Sequence, residues 1–118
     1  MKNYSKWLRD FMDSWKNLEG EKTCDLFADT CQYYENPFAP TTNKEEIKKL
    51  WAAVPLNQKD IIYKGEIFFE DKEHCIYHFC MARTMLGKKQ LIDGIFEIKL
   101  NDKNLLTYFK QWRFAKEA

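Results

Sequence analysis

Between Asn3 and Leu18 the apolar residues Trp7, Leu8, Phe11, Met12, Trp15 and Leu18 recur at intervals of three and four, with Lys6, Arg9, Asp10, Asp13 and Lys16 between them. That spacing puts the two sets on opposite sides of an α-helix and predicts an amphipathic first helix, ended by Gly20. A shorter second helix is expected to follow, with Cys24, Leu26 and Phe27 buried, running to Ala28-Asp29. Cys31 to Glu35 then reads as a short strand. Pro37 lacks an N–H and holds Asn36 extended, so the chain must turn there. Asn43 with Glu46 three residues on has the form of a capping box, and Ile47, Leu50, Trp51 and Val54 make the apolar stripe of a third helix before Pro55.

The period changes beyond Pro55. From Asp60 to Glu70, Ile61, Tyr63, Ile67 and Phe69 alternate with Lys64, Glu66 and Glu70, as along a strand with one covered face. His74 to Leu86 is apolar on both faces and predicts a central strand. Gly87-Lys88 turns the chain into Lys89–Leu100, and the Asn101–Asn104 turn leads into a last strand, Leu105–Phe114. Helices followed by a meander of strands define an α+β domain: three N-terminal helices packed on a mainly antiparallel sheet.

At 118 residues the chain is the size of one domain, 1–118, which can bury about two thirds of its unfolded surface without disulfide or metal staples. Nineteen aromatic residues (nine Phe, six Tyr, four Trp) favour a thick core or a ring-lined pocket. Nineteen basic and eighteen acidic side chains are interspersed, so no positive face for nucleic acid is expected. Cys24, Cys31, Cys75 and Cys80 include no C-x-x-C pair, and His74 and His78 complete no zinc spacing. The first residues carry no apolar signal segment, and no apolar run approaches membrane-spanning length. A cytoplasmic protein with reduced thiols, no metal, no cofactor and no membrane contact is the expectation.

The order of these elements, together with Leu26-Phe27-Ala28-Asp29, Tyr34-Glu35-Asn36-Pro37-Phe38, Glu46-Ile47, Trp51, Asp93-Gly94-Ile95 and the closing strand with Trp112, resembles the nuclear transport factor 2-like superfamily in its SnoaL-like branch. The resemblance spans the whole chain and implies a cone: a strongly curved sheet wrapped around the first helix, with a pocket open at the wide end. It also implies dimers formed through the convex sheet face. The residues agree, because the His74–Leu86 strand carries Tyr77, Phe79, Met81 and Met85 on one side and Ile76, Cys80, Ala82 and Leu86 on the other. Helices can cover only one of those faces. A homodimer is expected to cover the second, a loop or chain terminus being the other choice.

The ketosteroid isomerases of that superfamily use a base beside the loop proline and an oxyanion hole of Tyr and a protonated Asp. Matched on the residues above, this chain has Asn36, Phe11 and Phe96 at those places, and none of them can do that work. Arg83, as a charge on the inner face, Asp93, as a carboxylate in an apolar run, and Glu35, as a stand-in base, are the candidate catalytic groups. Related limonene epoxide hydrolases and scytalone dehydratases use Asp, Arg and His in the same region. Arg83 shares a face with Phe79 and Met81 and either receives an anion or reaches solvent at the mouth. Asp93 enters the cone only if Gly94 marks a bulge, and Glu35 alternates opposite to Tyr34. Tyr34, Trp51, Tyr63, Phe79, Met81, Phe96, Tyr108 and Trp112 are the expected pocket wall. His78 is expected on the convex face and His74 in solvent. The reading is a binder of a small apolar or anionic molecule, with metal-free acid–base chemistry (isomerase, dehydratase or epoxide-hydrolase type) as its catalytic form. The rival is a non-catalytic interaction module with a filled cavity.

Overall fold

The computed structural model describes residues 2–118. Helices α1 (Tyr4–Lys16) and α2 (Gly20–Cys24) come first, then strands β1 (Phe27–Asn36) and β2 (Ala39–Thr41). Helix α3 (Lys44–Ala52) and the single turn α4 (Val54–Asn57) lead into β3 (Gln58–Glu70), β4 (Cys75–Met85), β5 (Lys88–Leu100) and β6 (Leu106–Glu117). The expected set of three N-terminal helices is thus interrupted by a hairpin. The second helix also stops earlier than its apolar residues suggest: Phe27 and Ala28 are buried as the start of β1. A short apolar run fits either period, and here β1 takes it by pairing Phe27 with Leu106.

The caps act locally as expected. The Asn3 side chain accepts from Lys6 N at 3.0 Å and Asn43 from Glu45 N at 2.8 Å, each satisfying a helix-start donor. Glu46 does not close a capping box; its carboxylate pairs with Lys49 at 3.2 Å. Leu86 and Gly87 both take positive φ, which closes the β4–β5 hairpin.

All six strands form one sheet in the order β2-β1-β6-β5-β4-β3, antiparallel except for β1 beside β6. Register breaks at Lys59/Ile62 and Ile67/Phe69 interrupt the β3–β4 pair and one at Lys99/Leu100 the β5–β6 pair, whereas β4–β5 runs without a break. The break after Ile67 explains why Phe69, expected on the covered face, is exposed.

Helix α1 lies on the inner face of the sheet. Phe11 meets Phe96 and Phe109 at centroid distances of 5.8 and 5.6 Å, and Trp15 meets Phe79 at 6.2 Å. Phe96 in turn packs on Phe79, Tyr77 and Phe109. These rings occupy the middle of the cone. Trp51 closes one end from α3, edge-on to Phe11 and Trp15. All four cysteines are free thiols.

Candidate functional site

Because rings fill the middle, the interior space that remains is small. A cavity of about 70 Å³ lies between α1, α3–α4 and strands β1, β3, β4 and β6. Phe11, Trp15, Trp51 and Phe109 form its apolar side, and Tyr33, Gln58, Arg83 and Gln111 its polar side, with Glu35 and Arg113 at the rim. The space suits a few waters or a molecule of a few non-hydrogen atoms, well below the roughly 300 Å³ at which drug-sized pockets begin.

Arg83 is the main charge here. Its residue is 6% exposed, and it forms no ion pair among the described residues. Two glutamine side chains hold the guanidinium: Nη1 donates to Gln58 Oε1 at 2.9 Å and Nε to Gln90 Oε1 at 3.1 Å. Burial pulls its pKa down to about 10, with Arg113 adding repulsion and Glu35 acting the other way. It stays a cation at neutral pH. Gln58 Oε1 also accepts from Trp15 Nε1 at 2.9 Å, tying the long helix to the arginine.

Three further polar groups border the space. Gln111, also buried, donates from Nε2 to the Glu35 carbonyl at 3.1 Å. The buried Trp51 Nε1 lies beside the Tyr33 hydroxyl but makes no well-aligned hydrogen bond among the described residues. Burial holds the Tyr33 phenol well above the ordinary tyrosine range, so it remains a protonated donor. A fixed guanidinium, an unmatched indole N–H and a phenol bordering one small cavity make a place that favours negative charge.

The expected site residues divide between the two faces. Arg83 and Glu35 border the cavity with Trp51. Phe79, Met81 and Phe96 point inward but are core, buried to 3% exposure or less. Tyr63 donates to Asp13 Oδ1 at 2.7 Å, outside the cavity. Asp93 lies on the outer face, because the unbroken β4–β5 register contains no bulge at Gly94 to turn it. Its carboxylate accepts from Cys80 Sγ at 3.4 Å and pairs with His78 Nε2 at 2.9 Å. Tyr34, Tyr108 and Trp112 are also outside. Tyr34 packs on Tyr108 at 5.8 Å, and the Lys110 ammonium lies over the Tyr34 and Trp112 rings.

The β6 assignments fail for one reason. Leu106 and Phe109 both face inward although three residues apart, because the Lys99/Leu100 break puts an extra residue into β6. Beyond it Phe109, Gln111 and Arg113 point in, and Tyr108, Lys110, Trp112 and Phe114 point out. Polar inside and apolar outside inverts the usual pattern, so alternation assigned the faces wrongly. Gln111 and Gln58, which the sequence did not single out, become part of the site. Polar residues at inward positions of a strand are the signal that could have found them.

No protein-family model and no curated protein matches the chain. Among solved structures it superposes on the epoxide hydrolase/cyclase-like enzyme SalBIII of pyran ring formation in salinomycin, with a TM-score of 0.84 at 4% identity over 97% of this chain and 95% of that one. An LEH-like epoxide hydrolase from M. tuberculosis gives 0.74 at 10% identity over 92% and 80%. A hypothetical protein with a ketosteroid isomerase-like fold from Catenulispora acidiphila, solved with trimethylamine, gives 0.77 at 11% over 95% and 86%. This is the nuclear transport factor 2-like fold. At such identities the likeness is one of architecture, and the cone's chemistry has to be read from its own side chains.

Proposed function

We propose that this nuclear transport factor 2-like domain binds a small anionic molecule, a carboxylate or an oxyanion-forming compound, in the cavity beside Arg83. The buried Arg83 guanidinium, held by two neutral glutamines and by no carboxylate, carries this reading. A cation shielded from water in this way gains from an incoming anion. Trp51 Nε1 and the Tyr33 hydroxyl supply further donors. The catalytic form of the reading gives Glu35 the role of base at the rim and Arg83 that of stabilising developing negative charge, in an isomerisation, dehydration or epoxide opening. The epoxide hydrolase and the epoxide hydrolase/cyclase-like enzyme among its structural neighbours lend this form general support. Free thiols support a cytoplasmic setting.

Thermal melting against a panel of short carboxylic acids, with apolar lactones as uncharged controls, tests the binding claim. A ligand at a hundred times its dissociation constant adds about 2.7 kcal/mol. Stabilisation by acids and not by lactones, lost in Arg83→Met, is the expected result. A flat response to every acid would remove the proposal.

A second feature supports a homodimer through the outer face. Ile62, Phe68, Leu91, Trp112 and Phe114 are all at least 41% exposed, and Phe114 reaches 88%. Isolated exposed apolar residues are ordinary, but this set lies on adjacent strands of one face. A second copy laid against it is the occupant we assign.

A further inference from the structure

Outside the cone, on the outer face of the sheet, three side chains with metal-binding atoms come together. His78 and Cys80 are two residues apart on β4 and so project from one face. Asp93 on β5 is the direct cross-strand partner of Cys80. The ligand atoms of all three lie within 4.8 Å of one another. We propose that His78, Cys80 and Asp93 form a zinc-type divalent metal site, with the imidazole Nε2, the thiolate and one carboxylate oxygen as its protein ligands.

The donor set points to the metal. An imidazole, a thiolate and a carboxylate suit Zn²⁺ better than the oxygen-seeking Mg²⁺ or Ca²⁺. Tetrahedral bonds of about 2.0–2.3 Å put ligand atoms roughly 3.3–3.8 Å apart, so the present separations close by small side-chain rotations. Sheet geometry fixes the ligand-bearing Cα positions on two strands whose pairing is unbroken, which keeps the pre-organisation high. All three ligands come from one chain, so the site does not depend on a second copy. Cys80 and Asp93 also line an outer-face groove of about 740 Å³ bordered by Ile62, Leu91 and Phe114, the face assigned above to a second copy, which would cover the fourth position without supplying a ligand. An apolar border lowers the local dielectric and strengthens metal–thiolate attraction. Lys64, also at the border, is exposed and can turn its ammonium to solvent.

The proton balance is definite. Metal-free, Cys80 holds its proton toward Asp93 Oδ2, and His78 meets Oδ1 of the same carboxylate. When the metal binds, the Cys80 thiol gives its proton to the buffer and both contacts become metal bonds. At a pH where His78 is neutral its remaining proton sits on Nδ1 and none is released from it. One proton leaves per metal bound. Spacing rules built on C-x-x-C miss such a site, because its signature is an H-x-C pair on a strand with an acid on the next strand.

Cobalt titration of the intact chain tests the proposal, since Co²⁺ takes zinc sites and reports a thiolate ligand by charge-transfer absorption in the near ultraviolet. The expected result is one Co²⁺ per chain with that band, displaced by Zn²⁺, and one proton released by calorimetry in two buffers of different ionisation enthalpy. Cys80→Ser should abolish the band. His78→Gln and Asp93→Asn should each weaken binding by about tenfold to a hundredfold or more. All three changes lie on the outer face, and an unchanged melting curve without metal shows that the fold is intact. Absence of the band at saturating Co²⁺, its survival in Cys80→Ser, or unchanged affinity in both other variants would each overturn the site.

Discussion

The Oε1 atom of Gln58 accepts from Arg83 Nη1 at 2.9 Å while the same oxygen accepts from Trp15 Nε1 at 2.9 Å. A neutral amide therefore holds a buried cation that a carboxylate would have neutralised. Arg83→Met should leave the ligand-free protein as stable as the parent, or up to about 2 kcal/mol more stable, because a desolvated charge is removed. The sign follows from the pKa: folding lowers it to about 10, so at neutral pH the folded state bears the full desolvation cost of the charge. Urea unfolding at neutral pH reads this directly. A loss of several kcal/mol would show that the guanidinium is a structural tie rather than a waiting ligand group.

Gly94 should not tolerate a side chain. A Cβ there would lie 2.7 Å from Phe79 Cε1 and 3.0 Å from the Trp112 carbonyl oxygen. Phe79 is fully buried against Phe96 and cannot retreat. Gly94→Ala is expected to destabilise by about 1–3 kcal/mol through overpacking. Combined with Phe79→Leu, part of that loss should return, giving a coupling of about 0.5 kcal/mol or more in a double-mutant cycle. Strict additivity would show that the clash is relieved elsewhere.

Alkali should begin to weaken the fold about one pH unit below the point at which tyrosines ionise in the unfolded chain. Burial pushes the Cys31 and Cys75 thiols from 9.0 up to about 12. Their contribution is complete below pH 9, where thiols are protonated in both states, and is lost as pH rises from 9 towards 12, where only the unfolded chain ionises. Unfolding free energy should fall by up to about 1.4 kcal/mol per pH unit for each thiol in that window. Cys75→Ala should start from a lower stability and show a shallower slope. Parallel curves for parent and variant would remove Cys75 from the account.

Phe114 tests the outer face. With a second copy seated there, Phe114→Glu places a charge in an apolar contact and should turn a dimer into a monomer in sedimentation velocity. Its stability as a monomer should change by no more than about 0.5 kcal/mol, as for other surface substitutions. A parent chain that sediments as a monomer at every concentration would end the dimer proposal.

The sequence made the elements legible where one period ran long. Helix α1 and strand β4 are read correctly because Trp7 to Trp15 and Tyr77 to Met81 each keep one rhythm over several turns or pleats. It was misleading where a single residue shifts the rhythm. The extra residue in β6 turns Trp112 outward and Gln111 inward, and no local composition announces it, since bulges answer to the neighbouring strand. Arg83 could be placed on the inner face by counting back from Gly87. Its partners could not, because Gln58 and Gln90 come from two other strands and meet it only through register. The size of the cavity was equally hidden: rings that could line a pocket are the same rings that fill it, and only their packing decides.

The place of β1 in the sheet has a consequence for how the chain assembles. Within the sheet, β1 and β2 reach the meander of β3, β4 and β5 only through β6, the last strand to be made. Hairpins β3–β4, β4–β5 and β5–β6 can zip from neighbouring sequence, whereas joining β1 to β6 closes a loop of some 70 residues or more. On the ribosome Phe11 would wait for Phe109, and Phe27 for its Leu106 partner, until that closure, so the slow step and the aggregation-prone interval coincide. Deleting β6 should split the sheet into β1–β2 and β3–β5, joined by the packing of α1 rather than by strand pairing.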